Sequence, residues 1–130
     1  MKALSIVRAI LRASTAVTAK RQGEIYINAI MQDAPLPNVQ LMLVSGLEDF
    51  THSGASGLIE DRVRVWCRGK EAREAAELGV AVHNALQGYV GRIDGVCVQL
   101  IRRVMTTSDY QDTAKVHRCI IDFSVHWIAS

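Results

Sequence analysis

From Asp61 onward the chain alternates. Val63, Val65 and Cys67 fall on one face, and Arg62, Arg64, Trp66 and Arg68 on the other. That is the period of a half-buried strand. The run begins at Leu58, behind the loop Ser53-Gly54-Ala55-Ser56-Gly57, and Gly69 breaks it. Between Glu71 and Leu86 the period changes: Ala75, Leu78, Val82, Ala85 and Leu86 recur at three and four, which predicts an amphipathic helix. Gly88 suits the left-handed position just past its end. A strand feeding straight into a helix gives that helix a sheet to cover, and the other elements fall on either side of this unit.

Before it, Lys2 to about Ala13 reads as a helix, and Ser14 to Gly23 as a small, polar connection. Glu24-Ile25-Tyr26-Ile27-Asn28 alternates weakly, in the manner of a short edge strand. Asp33-Ala34-Pro35-Leu36-Pro37 is an extended entry to the next strand, because its two prolines lack donors and fix φ. Asn38 to Leu47 is that strand, with Val39, Leu41 and Leu43 on one face and Gln40 and Met42 on the other. Glu48 to Gly57 is longer than a usual hairpin loop of about two to five residues, which points to a role outside the core.

After the helix, Asp94-Gly95 signals a turn and Val96 to about Met105 a strand. Thr106 to Ala114 reads as a second solvated loop. His117 to Ile128 closes the pattern, with Cys119, Ile121, Phe123, Val125 and Trp127 on one face and Arg118, Ile120, Asp122, Ser124 and His126 on the other. The expected fold class is α+β: a four-stranded, mostly antiparallel sheet with helices packed on one face, in the order α-β-β-α-β-β, with room for an extra short early strand. Residues 1–130 form one expected domain, of which 1–23 are the N-terminal helix and connection.

Composition narrows the function. The 130 residues are 49% hydrophobic but only 5% aromatic, so the core is aliphatic. Fifteen basic and 13 acidic residues leave a net charge of +2, which is not the strongly basic balance of a dedicated nucleic-acid binder. Cys67, Cys97 and Cys119 are an odd number without a CxxC pair. They read as reduced, buried residues in strands rather than a disulfide scaffold or zinc site. Met1 to Gly23 holds five basic residues and no acidic one, a composition shared with presequences. Arg8 and Arg12 interrupt any secretory apolar core, and a surface helix is the plainer reading. No apolar run approaches the roughly 20 residues that cross a bilayer.

No catalytic constellation stands out. Gly54-Ala55-Ser56-Gly57 lacks the length and the lysine of a phosphate loop. His52, His83, His117 and His126 form no metal-ligand pair. His52, Ser53 and Asp49 are the residue types of a hydrolase, but a glycine-rich loop offers no rigid frame to orient a base. Glu60 and Asp61, adjacent on a strand, point to opposite faces. The chain is therefore read as a non-enzyme with no cofactor and no metal. The row Arg62, Arg64, Trp66 and Arg68 is either a solvated face whose arginine stems cover apolar surface or a protein interface. A nucleic-acid surface ranks behind both, since Glu60, Asp61 and Asp122 dilute the charge and stacking aromatics are scarce.

An ordered set of features resembles the tail-completion or tail-terminator family of long-tailed bacteriophages and related gene-transfer particles. It comprises Ile25-Tyr26; Ala34-Pro35-Leu36-Pro37 entering a strand that ends Val44-Ser45-Gly46; Arg62 to Arg68; Ala75-Ala76-Glu77-Leu78 and Val82-His83-Asn84-Ala85-Leu86; Gly88-Tyr89 and Gly91; Gly95-Val96; and Asp122-Phe123-Ser124-Val125-His126-Trp127. Asn38 after Pro37 and Gln32-Asp33 depart from the family pattern at the strand entry. The resemblance implies a structural virion protein, assembled in the host bacterial cytoplasm, without contact to membrane. It would form a ring, commonly a hexamer, that ends tail-tube growth and joins the head. Its implied partners are itself, the tail tube protein and the head-tail connector or head-completion protein, with DNA passing through the lumen without sequence-specific binding. On that basis Arg62, Arg64, Trp66 and Arg68 become a candidate subunit or tube interface, and Asp49, Phe50, Thr51, His52 and Ser53 a candidate partner-contacting loop. The alternative is a small nucleic-acid-binding or assembly adaptor using the Arg62/Arg64/Arg68 face.

Overall fold

The computed structural model describes residues 2–30, 33–47 and 58–128. Three helices and six strands follow in the order α1 (Lys2–Ala13), α2 (Thr15–Lys20), β1 (Ile25–Ile27), β2 (Asn38–Leu47), β3 (Leu58–Gly69), α3 (Ala72–Leu86), β4 (Gly91–Ile93), β5 (Val96–Gln111) and β6 (Val116–Ile128). The strands make one curled, mixed sheet in the order β1-β2-β3-β6-β5-β4.

This corrects the expected four-stranded, mostly antiparallel sheet with helices on one face: the protein is a mostly-β half-barrel with three helices. Of the two additional strands, three residues each, β1 falls where the sequence left room for a short early strand, and β4 is too short to display a period of two. β1 lies parallel to β2, with Ile25 opposite Val39 and Ile27 opposite Leu41. β4 and β5 form a tight hairpin through Asp94 and Gly95, both at positive φ (51° and 79°), as a two-residue turn of this kind requires.

Two further expectations give way. The connection Ser14–Gly23 contains α2, whose Ser14 hydroxyl accepts from the Val17 amide at 3.3 Å; serine is a favoured N-cap for this reason. Val17, the one buried residue of that helix, is 0% exposed, and one anchor per six residues leaves no periodic trace. The loop expected from Thr106 is strand as far as Gln111. Residues 102–110 are exposed throughout, so no apolar face marks them.

One core cluster unites the elements. It takes Leu4, Ile6, Val7, Ile10 and Leu11 from α1, Val17 from α2, and Leu78, Ala81, Val82 and Leu86 from α3. From the sheet it takes Val39 and Leu41, Val63, Val65 and Cys67, Val98 and Ile101, and Ile121, Phe123, Val125 and Trp127. The start of α3 is fixed by Glu74, whose Oε1 accepts from the Lys70 and Glu71 amides at 2.9 and 3.3 Å. An ion pair of 3.4 Å between Lys20 and Glu77 ties α2 to α3. Cys67 is buried, whereas Cys97 and Cys119 are only half-buried, and all three are free thiols.

Candidate assembly surface

The strand register turns the sheet face away from the core cluster into a grid of rungs. One rung reads Asn38, Arg68, Arg118, Asp109 across β2, β3, β6 and β5. The next read Gln40, Trp66, Ile120, Thr107, then Met42, Arg64, Asp122, Met105. Beyond these, Arg62 faces Ser124, Glu60 faces His126, and Leu58 faces Ile128. Side chains on one sheet face recur at every second residue, so Arg62, Arg64, Trp66 and Arg68 do share this surface.

They are not equivalent. Asp122, fully buried, sits between two of them: Arg62 Nε and Nη2 reach Oδ2 at 2.9 and 2.7 Å, and Arg64 Nε reaches Oδ1 at 2.8 Å while its Nη2 reaches Oδ2 at 3.0 Å. Burial alone would raise the Asp122 carboxyl, but the hydrogen bonds from Arg64 and Arg62 outweigh it and hold the group below the usual carboxylate range. The two side chains are each about a third exposed (37% and 31%), and their guanidiniums are largely committed within the chain.

Arg68 stands differently. It lies directly opposite Arg118 and donates to Asn38 Oδ1 at 3.3 Å. Burial, then the neighbouring Arg118 charge, lowers its pKa. Arg118 is held by Asp109, with Nε at 2.8 Å from Oδ1, which raises the Arg118 pKa and lowers that of Asp109. Trp66 is half-buried between Gln40 and Ile120. The row of four thus offers one half-exposed indole, two clamped arginines and one arginine with no acidic partner among the described residues.

Further along, the Ser124 hydroxyl donates to Glu60 Oε1 at 3.1 Å and lies 3.0 Å from His126 Nε2. These are the residue types of a hydrolytic triad in the wrong order. The carboxylate holds the serine rather than the imidazole, so the histidine gains no orienting partner from it. Among the described residues no cluster of His, Cys, Asp and Glu could hold a metal ion. No described helix is long and apolar enough to cross a membrane. Asp49, Phe50, Thr51, His52 and Ser53 lie outside the described residues.

A groove of about 650 Å³ runs between the first turns of α3, at Ala72, Ala75 and Ala76, and the far part of the β5–β6 hairpin. The Tyr110 and His117 rings, 4.6 Å apart between centroids, are part of its lining. The extension of β5 that shapes this groove escaped the sequence reading. Its signal was intrinsic preference alone, in Val104, Thr106, Thr107 and Tyr110, all good strand formers.

A family model described as Tail completion protein gp17 matches residues 6–127. The chain belongs to the tail completion protein family. As a tail completion protein it has a structural role in a phage-type tail. Its fold is similar to that of a solved chain in "Virion of native gene transfer agent (GTA) particle", with a TM-score of 0.66 and 18% identity over 93% of this chain and 90% of that one. At that identity the likeness speaks for the fold alone. No curated protein matches this tail completion protein in sequence.

Proposed function

We propose that the protein ends the tail tube at its head-proximal end. It does so as a ring of identical subunits, a hexamer, whose free surface receives the head connector. DNA passes through the ring without being read, and the chain catalyses no reaction. The observation that supports this most is the family match across residues 6–127. The solved gene-transfer-agent chain of similar fold is consistent with a place in such a particle.

In this reading Trp66 and Arg68 are the parts of the original row free to meet another protein. Trp66 supplies a half-exposed indole, and tryptophan and arginine are enriched among interface hot spots. Arg68 supplies a guanidinium that an acidic group of a neighbour would relieve. Arg62 and Arg64 shape the same surface while remaining held by Asp122. Residues 49–53 are assigned to contact with the tube or the connector. The alternative of a nucleic-acid adaptor loses force on this geometry, since two of its three arginines already serve a buried carboxylate and the third faces another arginine.

The test is solution mass by light scattering, alone and after addition of purified tail tubes, with electron microscopy of the tube ends. A ring, or a monomer that becomes a cap at one end of each tube, fits the proposal. A monomer indifferent to tubes overturns it. Salt-dependent DNA binding would then favour the adaptor.

A further inference from the structure

Among the described residues both borders of the sheet are left largely open, and they are open in complementary places. β1 covers β2 only at residues 39–41, with one more bond from the Asn28 amide to the Leu41 carbonyl. β4 covers β5 only at residues 96–98. The Gly88 amide and Tyr89 carbonyl add bonds to Ile101, and the Gln87 side chain accepts from the Arg103 amide. Beyond these points, β2 from 42 to 47 and β5 from 104 to 111 have no partner on their outer edges among the described residues.

Open edges are normally blunted by lysine, proline or inward charge. Neither stretch contains lysine or proline. The single charge on them, Asp109, is consumed by Arg118. Each stretch begins at a bulge, between Leu43 and Ser45 and between Arg103 and Met105, which re-aims a strand and is the one blunting device of this kind on these two stretches. Of the eight exposed large hydrophobic residues described, five lie here: Met42 and Val44 on β2, and Val104, Met105 and Tyr110 on β5.

We propose that copies of this chain join head to tail by sheet extension, the outer edge of β5 over 104–111 in one copy pairing with the outer edge of β2 over 42–47 in the next. This rests on the ring reading above and names its contact. Direction fits: β2, β3, β6 and β5 alternate, so the two borders run oppositely and copies related by rotation about an axis along the strands meet as an antiparallel pair. A contact between two different edges is also the kind that closes into a ring.

Stagger fits as well. Met42 and Met105 share one rung, and the open part of β2 lies beyond that rung while the open part of β5 lies mostly before it. Bringing them level shifts neighbouring copies by roughly five residues, or about 17 Å at ~3.3 Å per residue. Four strand spacings of ~4.8 Å separate equivalent strands in successive copies, so the strands tilt by roughly 40°, within the range of closed sheets.

Two blocked variants test this. Val104→Lys with Met105→Lys puts charge on the β5 edge, and Met42→Lys with Val44→Lys puts it on the β2 edge. All four side chains are exposed, and circular dichroism checks the fold; Val104→Glu and Val44→Glu alone are the milder pair. Each variant should fail to form the ring, alone or on tail tubes, with self-association at least tenfold weaker than wild type. Mixed, they should form a one-to-one dimer that grows no further, because one intact edge of each kind remains. A ring that survives either block overturns this contact and leaves the ring reading standing. A β2-blocked variant that dimerises by itself overturns it in favour of β5 pairing with β5. A wild-type chain that stays monomeric on tail tubes overturns both.

Discussion

Gly79 and Cys119 touch where α3 crosses β6: a Cβ built on Gly79 would stand 2.6 Å from the Cys119 Sγ and 3.3 Å from its Cβ. The glycine is there because helix and strand approach too closely for any side chain. Gly79→Ala gains helix preference worth about 1 kcal/mol but overpacks by about 1–3 kcal/mol, so the variant should be less stable by urea denaturation. Cys119→Ala removes the sulfur but leaves its Cβ at 3.3 Å, so the same change should cost less there than in the wild type. A double-mutant cycle measures the coupling, and additive effects would show that the contact does not constrain the pair.

Asp122→Asn should destabilise the monomer. The substitution leaves Arg62 and Arg64 without their anion, but both reach solvent, so the expected loss is about 1–3 kcal/mol rather than that of a wholly buried pair. The pH dependence has a definite sign. A carboxyl lowered in the fold stabilises above its unfolded value of about 3.9, and that contribution is lost as pH falls through the lower folded value. The gap between wild type and variant should be full above about pH 4 and should close below it. A gap that widens on acidification would refute the clamp.

Trp66→Ser should leave the melting temperature nearly unchanged and weaken assembly, because the indole is half-buried on the face away from the core. Sedimentation across a concentration series reads the effect. An unchanged association constant would remove Trp66 from the interface.

Deletion of Thr51 to Ser56 should leave folding intact and block head joining. Particle counts separate the outcomes: tails of normal length without heads support a contact role for this segment, and normal infectious particles refute it.

The period-two face of Val63, Val65 and Cys67 and the α3 pattern of Ala75, Leu78 and Val82 were legible because burial on one side imprints the sequence. In β6 the face of Ile121, Phe123, Val125 and Trp127 was legible for the same reason, but the burial of Ile120, Asp122 and Ser124 on the face read as outward was not. Ile25-Tyr26-Ile27 was legible as a short edge strand, but β4, shorter than two periods, was not. Nor was the outer half of β5, where both faces meet solvent and selection for burial leaves no mark. The row of Arg62, Arg64, Trp66 and Arg68 was read correctly as one face. Its division was hidden, because that depends on Asp122 standing opposite Arg64, and the register between strands some 60 residues apart is written nowhere locally. Cys67 met the expectation of a buried thiol, while half-buried Cys97 and Cys119 did not.

The sheet order has a temporal consequence. β6 lies between β3 and β5, yet it follows both in the chain. As the polypeptide leaves the ribosome, β3 and β5 each wait with a bare inner border until residues 116–128 arrive to fill the gap. The β5–β6 pairing is a local hairpin, but the β3–β6 pairing is non-local, and pairings of that kind form slowly and leave intermediates prone to association. A nascent chain of this protein is thus most exposed to wrong partners just before its last strand inserts, and the same insertion that completes the monomer also withdraws those inner borders from competition with the outer ones.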